Sequence, residues 1–166
     1  MAVSEKLSQF DSPDESPGFS LWQVSNMWQR RINAGLIPLG LTHAQFVLLA
    51  TLAWHARPAG CITQVELASL AQTDVMMTSN VLRTLEKKGL ILRNPHPVDT
   101  RAKSLSVTET GRSLVAKAIQ VVEKIDADFF HPLHGEVASF NRFLQTLISA
   151  NQGTPQAEDL PADPAH

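Results

Sequence analysis

A stretch with helical periodicity, residues 75–88, carries side chains suited to recognising a ligand. At about 100° per residue, one side of this helix and its margins collect polar, cationic and flexible residues. They are Met76, Met77, Ser79, Asn80, Arg83, Thr84 and Lys87. No acidic residue occurs between Val75 and Leu85. This side of the helix is therefore suited to an anionic partner.

The chemistry of these side chains matches the major groove of double-stranded DNA. Asn80 can pair with an adenine edge, Arg83 with guanine or phosphate, and a methionine can lie against a thymine methyl group. Ser79, Thr84 and the amides at the helix start are suited to phosphates. We therefore predict a helix that reads base pairs. An alternative stays open for the two methionines, because methionine at a helix start is more often core filler.

The segment "RNPHPVDTRAKSLSV", Arg93 to Val107, predicts a stiff, basic hairpin beside that helix. Its two prolines restrict the loop, which lowers the entropy lost on binding. Arg101 near the tip can enter a narrow minor groove, whose potential is negative. Asp99 is expected to hold Arg101 or the turn amides, whereas Arg93 and Lys103 are expected near phosphates at the base. The alternative is a merely solvated hairpin.

The charge of the chain is unevenly distributed. The net charge is −2, but residues 1–18 and 151–166 each carry −3, which leaves +4 on residues 19–150. Seven of the 14 Lys and Arg residues lie between residues 83 and 112. A local basic field of this kind favours an anionic polymer as partner, although a solvated surface is the commoner meaning of a charge cluster.

Other classes of protein find little support in the composition. A single cysteine excludes a disulfide framework or a multi-cysteine zinc site, and Cys61 is expected to be an inert thiol. His131 and His134 are three residues apart, a spacing that can share a metal, but Pro132 between them marks a helix break instead, so we expect no metal and no cofactor. No catalytic motif occurs, which argues against an enzyme. No apolar run approaches a membrane span, and we expect a cytoplasmic protein.

The helix signals place these residues in a mainly α fold. Helices are expected at about 19–35, ending at Gly35, and at 43–56, 64–72, 75–88, 109–130 and 136–150. Thr42 with Gln45, and Thr63 with Glu66, form two capping boxes. Short strands flank the hairpin loop, and a strand stub precedes Thr63. The order predicts one domain over residues 19–150: a winged helix-turn-helix at about 41–108, with a two- or three-stranded wing, between flanking helices 19–35 and 109–150. Residues 1–18 and 151–166 are expected to be disordered tails, the second of them acidic.

The sequence "DTRAKSLSVTETG", with "VLRTLEKKGLILR" just upstream, resembles the MarR-type transcriptional regulators. Their wing motif is Asp-x-Arg, then a strand, then Leu/Val-Thr-x-x-Gly, which matches Asp99, Arg101, Val107-Thr108 and Gly111. The resemblance implies a homodimer built from the first and last two helices that binds a pseudo-palindromic operator, and usually repression relieved by a small molecule. The chain departs from many relatives at "DVMMTSN", where they have a Ser/Thr-rich start and a base in place of Asn80.

Two further expectations follow from the resemblance. Trp22, Trp28 and Trp54 could line an effector pocket between the dimer helices and the DNA-binding lobe, with plain core packing as the alternative. The fold alone would also permit a winged-helix module that binds protein rather than DNA. The basic, acid-poor helix side and Arg101 favour DNA.

Overall fold

The structure, a computed structural model, describes residues 8–55, 62–95 and 103–152. The helices in these ranges are α1 (Pro17–Leu36), α2 (His43–His55), α3 (Gln64–Leu70), α4 (Val75–Lys87), α5 (Glu109–Phe130) and α6 (Val137–Asn151). The strands are β1 (Ile62–Thr63), β2 (Ile91–Pro95) and β3 (Lys103–Val107). The predicted mainly α, winged helix-turn-helix fold with a three-stranded sheet is confirmed. The chain divides into two compact units, Met1–Asp126 and Ala127–His166.

Helix α1 begins before the predicted residue 19 and does not end at Gly35. Ser16 caps it by accepting the amide of Phe19 at 3.3 Å, and a 3-10 turn, Pro13–Glu15, precedes the cap within the predicted tail. A Cβ built on Gly35 would collide with the side chain of Ile125 on α5. The glycine therefore serves a close helix approach, and the predicted stop is wrong. The helix leads into a 3-10 turn, Ile37–Leu39, and the reversal is made by Gly40 at φ +66°.

Both predicted capping boxes are present. Thr42 accepts the amide of Gln45 at 3.2 Å, and the Gln45 side chain accepts the amide of Thr42 at 3.3 Å. At the start of α3, Thr63 and Glu66 make the same reciprocal pair, at 3.3 and 2.7 Å. Each box satisfies two backbone donors that the helix leaves without partners. These local hydrogen bonds fix where α2 and α3 begin.

The core of the first unit lies between the helices and the small sheet. The fully buried aliphatic residues are Ile32, Leu36, Leu48, Leu49, Leu52, Leu67, Leu82, Leu85 and Ile91. The sheet is antiparallel, in the order β1-β3-β2. Its register pairs Leu105 with Ile62 on one side and with Arg93 on the other, and pairs Lys103 with Pro95. The stub strand thus becomes the third strand of the wing sheet.

The Thr-x-x-Gly part of the wing motif joins three elements. Thr108 donates its amide to the Leu90 carbonyl at 3.0 Å and its hydroxyl to the Gly89 carbonyl at 2.7 Å. The same hydroxyl accepts the amide of Gly111 at 3.0 Å and so caps α5. A Cβ at Gly111 would collide with the Leu90 carbonyl oxygen. Thr108 and Gly111 therefore hold the start of α5 against the end of α4.

The second unit contains the end of α5, a 3-10 segment over His131–Glu136, and α6. The predicted helix break is present, and His134 there has a positive φ of 48°. Phe130 packs against Phe140 with ring centroids 5.8 Å apart. Further along α6, Phe143, Leu147 and Ile148 are exposed. The unit thus leaves a large apolar part of α6 uncovered.

Candidate nucleic-acid interface

The N-terminal end of α4 is fixed by its own capping residues. Asp74 accepts the amide of Met77 at 2.7 Å. The buried hydroxyl of Thr78 donates to the Asp74 carbonyl at 2.7 Å and lies 2.9 Å from the hydroxyl of Thr73. Thr78, Leu82 and Leu85 are buried and form the inner side of the helix. Val75 is exposed because it occupies the first helical position, one turn before Thr78 reaches the core.

The outer side of α4 is open to solvent. Met76 is 69% exposed, which argues against the core-filling alternative for this residue, and Met77 is 39% exposed. Asn80, Arg83 and Lys87 are also exposed. The predicted outer side of α4 is therefore a ridge with one thioether, one amide and two cationic groups, and no other described residue covers it.

The two predicted hydroxyl residues are less available. Ser79 is half-buried, and its carbonyl accepts from Arg93. Thr84 is half-buried, and its hydroxyl donates to the Asn80 carbonyl at 3.2 Å. A hydroxyl that already donates to its own helix can still accept, but it has to rotate to donate to phosphate.

The wing strands place two of the four predicted hairpin residues. Lys103 is exposed at the start of β3, opposite Pro95. Arg93 is half-buried and turns towards α4, where its Nε lies 3.3 Å from Glu86 Oε2 and its Nη2 donates to the Ser79 carbonyl at 3.4 Å. Nε is buried and has no aligned hydrogen-bond acceptor, so its contact with Glu86 is an ion pair rather than a hydrogen bond. Asp99 and Arg101 lie outside the described residues.

The three tryptophans lie in different environments within the described residues, and an effector pocket lined by them stays a prediction. Trp22 is 63% exposed and stacks on Phe19, and Trp54 is 83% exposed near the end of α2. Trp28 is half-buried and donates its Nε1–H to Asp126 at 2.7 Å. Helical spacing alone could not separate these environments, because each depends on what packs against that position.

An open cavity of about 470 Å³ lies instead between α1, α2 and the start of α4. Its volume falls in the usual range for small-molecule sites. Trp28 and His43, which lines the cavity, make a T-shaped ring contact with centroids 5.0 Å apart. Burial lowers the pKa of His43 from its usual 6.5, and the nearby Asp126 carboxylate partly offsets this. The lining residues are Gln29, Asn33, Thr42, His43, Ala44, Val47, Thr73 and Met77.

Sequence reasoning missed two contacts that position α4. One is the ion pair between Arg93 and Glu86, and the other joins Lys88 to the chain reversal between α1 and α2 through Gly40 and Gln45. The sequence shows the charges but not their partners, which are 7 and more than 40 residues away. No local spacing rule covers contacts at these separations.

A metal site needs clustered ligand side chains, and a membrane span needs a long apolar helix; the structure describes residues 8–55, 62–95 and 103–152. No group of three His, Cys, Asp or Glu side chains in these ranges could hold a metal ion. No single helix there is long and apolar enough to cross a membrane. The pair Pro17–Leu39 and His43–His55, bent by 77°, reaches the necessary length and apolar composition only when the two segments are taken together.

Comparisons with known proteins agree with this geometry. The model of the MarR family matches residues 41–103. YdcH of Bacillus subtilis, an HTH-type transcriptional regulator, is 48% identical over 74% of this chain and 84% of its own length. The HTH-type transcriptional repressor Rv2887 of Mycobacterium tuberculosis is 32% identical over 82% of this chain and 96% of its own. A crystal structure of mutant MarR from E. coli complexed with operator DNA has a TM-score of 0.71 at 28% identity, covering 79% of this chain and 92% of that one. This chain therefore belongs to the MarR family of transcriptional regulators.

Proposed function

We propose that the chain is a homodimeric repressor that binds a pseudo-palindromic operator and is released by a small molecule. In this proposal the winged helix-turn-helix, residues 41–108, contacts DNA, and residues 19–35 and 109–150 contribute to the dimer. The site of action is the cytoplasm. The observation that carries the proposal is the exposed outer side of α4, with Met76, Asn80, Arg83 and Lys87 facing solvent and no acidic residue between Val75 and Leu85.

DNA contact by α4 is supported by the chemistry of this side. An exposed amide and guanidinium on adjacent turns are the groups that read base edges in the major groove. We expect Arg83 and Lys87 to neutralise phosphates as well, with Lys103 doing so from β3. Asp99 and Arg101 remain predictions from the sequence motif. The relative crystallised with operator DNA supports the same class of partner.

The exposed apolar surfaces support dimerisation. Helix α6 leaves Phe143, Leu147 and Ile148 uncovered, and α1 leaves Leu21 and Trp22 uncovered. Exposed large apolar side chains that share a helix are typical of association sites. Two copies related by a twofold axis would read two half-sites one helical turn apart, which is why a pseudo-palindrome is expected.

Release by a small molecule is supported by the cavity beside the start of α4. Met77 from α4 and three residues of α2 share its lining. A ligand there would contact the helix that carries the outer side and the helix on which it packs. A ligand that binds the DNA-free conformation of these two helices more tightly than the DNA-bound one would shift the equilibrium towards release.

The deciding experiment is selection of duplexes from a random library, followed by mobility shift at two salt concentrations. Binding through six or more phosphates predicts a loss of affinity on the order of a thousandfold between ~50 and ~200 mM salt. The selected sequence should be an inverted repeat. Failure to retain any duplex at low salt would overturn the proposal and favour the protein-binding module.

A further inference from the structure

We propose that Arg93 and Glu86 are a positioning pair that holds the wing strands β2 and β3 against α4. Arg93 then affects DNA binding through this pair and not by contacting phosphate. This inference rests on the proposed function for its effect on DNA. It revises the sequence-based expectation for Arg93, which placed this residue near phosphates with Lys103.

The geometry turns Arg93 inward. It is the third residue of β2, and its guanidinium reaches α4 at two points, the Glu86 carboxylate at 3.3 Å and the Ser79 carbonyl at 3.4 Å. Ser79 and Glu86 are two helical turns apart, about 10 Å along the axis. Helical side chains lean towards the N-terminus whereas carbonyls point towards the C-terminus, so one guanidinium can meet both. Arg93 therefore contacts residues of α4 that are two turns apart.

Burial separates Arg93 from the other predicted phosphate contacts. Its side chain is only 19% exposed, while Arg83, Lys87 and Lys103 are exposed. A guanidinium with a buried Nε and a carboxylate at 3.3 Å would have to leave its counter-charge in order to reach a phosphate. Arginine stays charged in proteins, so a guanidinium that left this position would lose its contacts with the Glu86 carboxylate and the Ser79 carbonyl.

Glu86 also needs an explanation of its own. It lies between Leu85 and the exposed base Lys87 on a helix proposed to enter DNA. An unpaired carboxylate near phosphates would weaken binding by repulsion. Pairing with Arg93 gives the carboxylate a local role and reduces its effect on the DNA. If Glu86 only repels phosphates, removing its charge should strengthen DNA binding. If Glu86 positions Arg93, removing its charge should weaken DNA binding.

The test compares Glu86→Gln, Arg93→Gln, the double variant and Lys87→Gln in full-length protein, using the duplex selected by the parent. We expect Glu86→Gln to bind about three- to fivefold more weakly, from the modest strength of a partly exposed ion pair. Arg93→Gln should weaken binding without changing the salt dependence, and the double variant should be no weaker than Arg93→Gln. Lys87→Gln is the matched control, in which the logarithmic salt slope falls by about one phosphate contact.

Tighter binding by Glu86→Gln would overturn the inference, as would a salt slope for Arg93→Gln that falls like that of Lys87→Gln. A second readout needs no DNA. Amide hydrogen exchange in β2 and β3 should be faster in Arg93→Gln and Glu86→Gln than in Lys87→Gln. Unchanged exchange would reject the pair even if the parent binds its operator. Faster exchange in Arg93→Gln and Glu86→Gln, together with a parent that binds no duplex, would instead retain the pair and reject the proposed function.

Discussion

The Nζ of Lys88 lies 2.6 Å from the carbonyl oxygen of Gly40, so the end of α4 is joined to the chain reversal between α1 and α2. The same ammonium donates to Oε1 of Gln45 at 2.9 Å. That amide oxygen also accepts the amide of Thr42, in the capping box of α2. One cation therefore links the C-terminal end of α4 to the start of the helix packed against it.

Replacing Lys88 by methionine should lower the free energy of unfolding by about 1–2 kcal/mol, because two charge-assisted hydrogen bonds are lost while the aliphatic stem is kept. Lys87→Met is the matched control, since Lys87 is the exposed neighbouring base. We expect Lys87→Met to keep its stability and to lose DNA affinity. Urea unfolding of both variants measures the difference, and equal midpoints would contradict a structural role for Lys88.

A second prediction concerns pH, because the pKa of His43 is lowered by burial. In the unfolded chain this histidine titrates near its usual 6.5, so below that pH the unfolded state binds more protons than the folded state. The His43 contribution to stability is therefore complete above pH 6.5 and is lost as the pH falls through the lower folded pKa. His43→Gln should lose less stability than the parent between about pH 7.5 and about pH 5.5.

The control for this pH effect is Asp126→Asn. Asp126 raises the pKa of His43, so in Asp126→Asn that pKa should fall further and the His43 contribution to the pH dependence of stability should be larger than in the parent. Ring-proton NMR follows the titration of His43 directly, and urea unfolding follows the stability. An unchanged titration in Asp126→Asn would show that the two groups do not interact.

Local signals predicted the fold well because they are decided within a few residues. Thr42 with Gln45 and Thr63 with Glu66 make the hydrogen bonds that their spacing predicts, and Thr108 caps α5 in the same way. Gly35 shows the limit of such signals. Glycine ends helices and also permits close helix approach, and only the passage of Ile125 of α5 beside it decides between the two.

The candidate site was predictable where it depends on one helix and unpredictable where it depends on several elements. Periodicity alone placed Asn80 and Arg83 on the outer side of α4, because a helix has a fixed angular step. The direction of Arg93 depends on the twist and register of the sheet relative to α4, which no local pattern encodes. The exposure of Trp54 near the end of α2 could not be predicted for a similar reason, because it depends on what packs against that position.

A third prediction tests the junction between the wing and α5. Gly111→Ala should destabilise the protein by about 1–3 kcal/mol, because the added methyl group would meet the Leu90 carbonyl oxygen and the side chain of Val107. Backbone cannot move aside as a flexible side chain can. Gly135→Ala is the control, since nothing lies within 4 Å of a Cβ there. Thermal unfolding compares the two, and equal melting temperatures would argue against a steric need for glycine at position 111.

A fourth prediction concerns base reading by Asn80. Asn80→Ala should lose about 1–3 kcal/mol of binding to the preferred operator and relax the preference at one base pair in each half-site. The melting temperature should be unchanged, because the side chain is exposed and the hydrogen bond from Thr84 goes to the main-chain carbonyl of Asn80. Binding-site selection with both proteins measures the preference. The same consensus for mutant and parent would remove Asn80 from the set of readers.

The exposed thioether of Met76 permits a sharper test, in which one base of the DNA is changed and the protein is left as it is. If Met76 lies against a thymine methyl group, replacing that thymidine by deoxyuridine should weaken binding by the parent by about fourfold, the effect of one buried methyl group. Met76→Ala should bind the two duplexes equally, because the contact is already lost. Asn80→Ala is the control variant and should keep the full sensitivity to the methyl group. Substituting each thymidine of the half-site in turn locates the contact, and equal sensitivity of parent and Met76→Ala at every position would show that Met76 does not touch a thymine.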